Sequence, residues 1–230
     1  MRLRPTHAVP LRAPALVSRL RGRWRVLGVG LLLASGLACG DSATDPFATG
    51  NAAIRAALTI DPEALPDYVR DPLPAFYDAA TLAREDRTQG APLTNAGVTL
   101  GRVLFYEPQL SRNGTVSCAS CHASASAFGD TAQFSRGFDG ASTAMHAMRL
   151  VNVRFNADGR AFWDKRAPTL EAQTTQPIQD AGEMGFDAAH GGLTAAFTRL
   201  SALPYYAPLF RRAFADSVIT ADRVQRALAQ

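Results

Sequence analysis

The run Cys118-Ala119-Ser120-Cys121-His122 constrains this chain more than any other stretch. It is a C-x-x-C-H motif. On one helical turn that spacing points both thiols to the same side, where each can add to a vinyl group of a haem. The histidine that follows then reaches the iron from one face. Two rival chemistries use similar residues. A redox C-x-x-C does not require the adjacent histidine and usually lies in a βαβ pattern, which is missing here. A zinc site wants four ligands, and outside the N-terminal leader only His146 and His190 remain to supply them. The motif therefore predicts one covalently bound haem c, attached at Cys118 and Cys121, with His122 as the proximal iron ligand.

A chain carrying such a group is expected to be exported, and the N-terminus reads that way. Seven arginines and no acidic residue fall within residues 1–38, and an apolar run covers 26–38. This is the length of a signal-peptide core and short for a membrane span. The run ends at Gly36-Leu37-Ala38-Cys39-Gly40-Asp41, which resembles a bacterial lipobox with Gly where Leu is usual. Residues 1–38 are read as a signal peptide of lipoprotein type, with a lipid anchor at Cys39 and a periplasmic location. A plain secretory signal is the alternative. Removing the leader takes seven of the 24 basic residues and leaves 17 against 20 acidic ones. The formal charge of +4 thus belongs to the leader, and nothing in the remainder points to nucleic acid. Three cysteines, two of them in the motif, do not make a disulfide framework.

Residues 39–92 contain Pro46, Pro62, Pro66, Pro72, Pro74 and Pro92. Each removes an N–H donor and restricts its predecessor, so a tether and then an irregular or short-helical segment are expected. Residues 93–230 read as one mainly helical domain. Thr94 is a helix cap before Val98, Leu100, Val103 and Leu104, and further helical patterns cover Leu193–Leu200, Pro208–Phe214 and Val224–Leu228, the last led by Thr220. Long loops lie at Ser124–Thr143 and Gln173–Gly192, the kind of connection that wraps a cofactor. No strand alternation recurs. The expected fold class is all-α, a cytochrome c-like haem domain with long loops around the haem.

Four blocks in register narrow the reading. Leu100-Gly101-Arg102-Val103-Leu104-Phe105-Tyr106-Glu107-Pro108-Gln109-Leu110-Ser111-Arg112-Asn113 leads into the haem motif. Phe162-Trp163-Asp164-Lys165-Arg166-Ala167 and Glu183-Met184-Gly185 follow it. Together they resemble the bacterial di-haem cytochrome c peroxidase and MauG superfamily, over roughly residues 93–230. The resemblance implies that this is the family's first haem domain, where hydrogen peroxide is reduced to water. Glu183 then matches the distal carboxylate that moves a proton between the peroxide oxygens. Gln173 matches a distal amide, and Trp163 matches the indole between two haems. Arg112 and Arg166 are candidates, from charge alone, to balance the haem propionates. The implied electron donor is a small cytochrome c or cupredoxin, and a homodimer is among the expected assemblies. A second haem, in a domain with its own C-x-x-C-H, is expected beyond Gln230, which falls in what looks like the linking helix.

Taken singly, these residues have plainer readings. Trp163 suits a core aromatic, Gln173 alone carries no signal, and Met145, Met148 and Met184 suit core packing better than iron ligation. Met184 and Phe186 beside Glu183 imply partial burial, which raises a carboxyl pKa. The chain also departs from the family. The loop after the motif reads Phe138-Asp139-Gly140, with no histidine to serve as a sixth iron ligand, so an open distal face is expected, with His146 the one replacement candidate. His146 also takes the place of an asparagine that helps bind calcium, which argues against calcium. Lys165 stands where the family usually has Gly. Two other functions stay open: a pure electron carrier, and MauG-like oxidation of a protein or organic substrate.

Overall fold

The computed structural model describes residues 47–70, 73–85, 92–156 and 158–230. The residues read as a signal peptide and as a lipobox at Cys39 lie outside the described residues. Helices carry the described fold, and the only β pairings among these residues are three isolated bridges. The all-α expectation holds.

The expected helices form, with the expected caps. Asn95–Phe105 (α3, numbered after two shorter N-terminal helices given below) starts at Thr94, whose side chain accepts the Gly97 N–H. Gly192–Ser201 (α7), Tyr206–Phe214 (α8) and Ala221–Ala229 (α9) follow, with Thr220 capping α9 through the Arg223 N–H. Leu100, Leu104, Leu110, Ile178, Leu200, Tyr206, Phe210 and Val224 are fully buried and form the centre of one apolar cluster. The apolar positions of α3 recur at helical spacing because one stripe of that helix must face this core.

Gly101 explains how α3 and α9 meet. A Cβ there would lie 1.9 Å from the Ala227 carbonyl oxygen, so the two backbones touch where only glycine fits. Thr94 N–H donates to Gln230 Oε1 at 3.0 Å, which ties the start of α3 to the end of α9. The helix read from sequence as a linker is thus, with Val224 and Ala227 buried, an integral part of the core.

One local expectation is corrected and another made specific. The segment expected to be irregular or short-helical contains a three-turn helix at Ala48–Ala57 (α1) and a single turn at Ala79–Leu82 (α2). No proline falls between 47 and 61, and Ile54 is fully buried in the main cluster. Gly50 lets α1 sit on Pro208, where a Cβ would come within 2.6 Å of the proline Cβ. The stretch Gln173–Gly192, read as loop, begins inside Leu170–Thr174 (α5) and includes Gln176–Gln179 (α6). Thr169 caps α5 through the Ala172 N–H at 3.1 Å. Single turns are too short to leave a periodic signature.

Candidate functional site

Cys118–Cys121 forms one helical turn, α4, closed by a capping box between Ser117 and Ser120. The motif's local geometry is therefore built by its own neighbours. Both cysteines are free and half-buried. Burial pushes the Cys118 thiol up to about 12, and Cys121 rises for the same reason, with Ser135 opposing the shift. Thiols this hard to ionise make poor redox nucleophiles, which disfavours disulfide exchange.

His122 is oriented from the backbone. Its Nδ1 lies 3.0 Å from the Phe128 carbonyl, so Nδ1–H donates there and Nε2 is left for a metal. Burial lowers its pKa, against the carbonyls of Phe128 and Met148, and so favours the neutral imidazole that binds iron. The carbonyl is delivered by a tight turn in which Ala127 and Phe128 both adopt φ of 55°. Ala123 and Gly129 pair across its base. The Phe105 ring lies 6.5 Å from the imidazole and 6.2 Å from the Phe128 ring. Thiols on one turn, an adjacent neutral imidazole oriented through Nδ1 and aromatic walls together fit haem c.

The other blocks converge on this motif through the backbone. Ser111 Oγ donates to Pro108 O at 2.9 Å and accepts the N–H groups of Thr115 and Val116, both at 3.1 Å, which fixes the approach to Cys118. Asn113 Nδ2 donates to Phe138 O at 2.5 Å. The Glu183–Gly185 segment is held from both flanks of the haem motif. Arg112 N–H donates to Met184 O at 2.8 Å, and Phe138 N–H to Glu183 O at 2.9 Å. Gly137 passes so close to Gly182 that a Cβ would fall 1.7 Å from its carbonyl oxygen.

Glu183 is half-buried, and its carboxylate has no hydrogen-bond partner among the described residues. Burial raises its pKa; Asp180 adds to the effect, and Arg166 opposes it. Its charge in turn raises both motif thiols. Glu183, Arg166, Cys118 and Cys121 thus share one electrostatic neighbourhood although up to 65 positions separate them. Gln173 lies half-buried within α5, with no side-chain hydrogen bond among the described residues.

The remaining candidates sit at the surface. Trp163 is 58% exposed and donates from Nε1 to His146 O at 2.9 Å. Arg166 pairs with Asp164 at 3.0 Å and lies 3.5 Å from the Phe162 ring centroid. Arg112 lies over the Phe138 ring at 5.1 Å, with no carboxylate partner among the described residues. His146 Nδ1 is tied to Ala132 O at 3.0 Å. Met184 is core, but Met145 and Met148, expected there too, are exposed on an irregular stretch with no helix face to bury them. Lys165, in the family's glycine position, adopts φ of 55°, and its ammonium pairs with Asp158 at 2.6 Å.

Sequence reading missed two contributors. The Phe128 carbonyl is invisible to it because neither Ala127 nor Phe128 advertises a left-handed turn. Glu107 was passed over as well. It is buried, and its Oε2 accepts the hydroxyls of Tyr205 at 2.7 Å and Tyr206 at 2.9 Å. A carboxylate at the end of an apolar helix was the available signal.

Comparison with known proteins matches this arrangement to a family. A family model described as di-haem cytochrome c peroxidase matches residues 95–230. The methylamine utilization protein MauG of Methylorubrum extorquens is 40% identical over 140 residues, 60% of this chain and 37% of that protein. Cytochrome c551 peroxidase of Nitrosomonas europaea is 32% identical over 131 residues, 57% of this chain and 37% of the relative. Among solved structures, a MauG-like protein associated with microbial copper homeostasis superposes with a TM-score of 0.52 and 29% identity, over 63% of this chain and 42% of the other. The chain spans less than half the length of each of these proteins.

Proposed function

Because the chain belongs to the di-haem cytochrome c peroxidase and MauG family, we propose that it carries that family's peroxide-reacting haem and reduces hydrogen peroxide to water. The reaction consumes two electrons and two protons per peroxide and yields two waters. Haem bound at Cys118, Cys121 and His122 would supply the iron at which peroxide and electrons meet. The chain's own residues do the rest. His122, its ring oriented by the Nδ1–H bond to Phe128 O, would hold the iron through Nε2. The Glu183 carboxylate takes a proton from one peroxide oxygen and returns it to the other, and burial raises its pKa in the direction that suits this exchange. Gln173, half-buried in α5, offers an amide donor, and Trp163 is a surface relay for electrons. Arg112, with no carboxylate partner of its own, balances a propionate.

The observation that carries this reading is Glu183: half-buried, without a hydrogen-bond partner among the described residues and electrostatically coupled to both motif cysteines. Electrons come from a small cytochrome c or cupredoxin, by way of a second haem domain. We place the protein in the periplasm, lipid-anchored at Cys39, on the strength of its Arg-rich leader and apolar run. The test is peroxide-dependent oxidation of reduced cytochrome c by the haem-loaded protein joined to its second haem domain. Turnover that falls by about 10²-fold or more in Glu183→Gln supports the proposal; no turnover, or an unchanged Glu183→Gln rate, refutes it. The 40% identity to a MauG favours a second reading, oxidation of a protein or organic substrate at the same haem. Mass spectrometry of candidate partners after peroxide treatment distinguishes the two.

A further inference from the structure

A cleft of about 740 Å³ lies between residues 58–68 and α3. Its lining includes none of Cys118, Cys121, His122, Gln173, Glu183 or Trp163. Leu58, Ile60, Val103 and Leu203 give it apolar walls, and Tyr106 and Tyr205 add aromatic faces. Its volume is in the range of sites that hold small organic molecules.

Three charged side chains line the cleft, and two of them are already satisfied. Asp61 is paired with Arg55 at 2.9 Å. Glu107 is buried, with Oε2 taken by the two tyrosine hydroxyls and Oε1 by the Gln109 N–H at 2.9 Å. Arg102 differs. One terminal nitrogen donates to Tyr68 Oη at 2.6 Å, and the guanidinium lies 5.7 Å from that ring's centroid. It has no carboxylate partner among the described residues. One side of the guanidinium is thus engaged by Tyr68, and Arg102 is among the residues that line the cleft.

We propose that this cleft binds a small aromatic carboxylate, with its carboxylate on the Arg102 guanidinium and its ring against Tyr106 and Tyr205. A guanidinium's fork of donors matches a carboxylate, and flat apolar walls with two tyrosines match a ring. A cation would meet Arg102 unfavourably, and a neutral ring would leave the guanidinium unpaired. The site makes no use of haem, so its fate is independent of the peroxidase reading.

Calorimetric titration of the full haem-loaded chain with 2-naphthoate, and with the uncharged 2-naphthamide, tests the proposal. One saturable naphthoate site is expected, with naphthamide about tenfold weaker or more. Arg102→Gln should lower naphthoate affinity by about tenfold and remove the preference for the charged ligand. Arg102 is exposed and forms no ion pair, so this variant should fold, as circular dichroism would verify. Tyr106→Ala should weaken both ligands alike. No saturable binding, equal affinity for the two ligands, or undiminished naphthoate binding by Arg102→Gln would overturn the proposal.

Discussion

The Phe138 amide donates to the Glu183 carbonyl at 2.9 Å, joining the loop after the C-x-x-C-H motif to the backbone of the carboxylate proposed to serve it. The neighbouring Gly137 makes that contact possible, because any Cβ there would collide with the Gly182 carbonyl oxygen at 1.7 Å. We predict that Gly137→Ala destabilises the protein by about 2–3 kcal/mol, the upper range for overpacking. It should also slow the reaction with peroxide while haem stays attached. Urea unfolding and stopped-flow mixing with peroxide read the two effects separately.

Ala127 and Phe128 store strain beside the proximal histidine. Ala127 gains nothing from its left-handed φ of 55° except the turn that aims the Phe128 carbonyl at His122. Ala127→Gly should therefore stabilise the fold by about 0.5–1 kcal/mol, the left-handed penalty less the added chain entropy of glycine. The haem spectrum should not change. A lower unfolding midpoint in the glycine variant would contradict this.

Ile54 tests whether the N-terminal helix belongs to the domain. It is fully buried in the main cluster although it precedes the region matched to the family. Ile54→Ala is expected to cost about 2–5 kcal/mol. A loss below about 1 kcal/mol by denaturant titration would show that α1 merely rests on the surface.

Glu183 makes stability depend on pH in a direction opposite to most carboxylates. Its pKa is raised by burial, so the folded protein holds the proton more tightly than the unfolded chain. Its contribution is fully present below the ordinary glutamate range and is lost as pH rises through the folded-state value. The stability of Glu183→Gln relative to the parent should accordingly increase from pH 4 to pH 8. Urea titrations at several pH values would show this, and a difference that stays flat would contradict it.

Much of this was legible in the sequence because it is local. The C-x-x-C-H turn, the Thr94 and Thr220 caps and the apolar stripe of α3 each follow from residues within a few positions of one another. Gly101 was visible as part of a motif, but its reason, contact with the Ala227 carbonyl 126 residues later, was not. Exposure was misjudged for Met145 and Met148, since a methionine in irregular chain carries no periodic mark of which way it faces. In the segment before residue 93 a short helix was expected, but its place was not read, although the proline-free window from 47 to 61 marks where α1 forms. Lys165 was noted only as standing where the family usually has Gly, and its left-handed φ of 55° became visible in the structure.

The central claim is that Glu183 serves a peroxide-reactive haem held by Cys118, Cys121 and His122. Its most direct test is stopped-flow mixing of the haem-loaded chain with hydrogen peroxide, parent against Glu183→Gln, at matched haem content. The account predicts a fast change in the haem spectrum for the parent and one slower by about 10²-fold or more for Glu183→Gln, with one haem still covalently attached in both. A parent haem inert to peroxide, or equal rates in the two proteins, would contradict it.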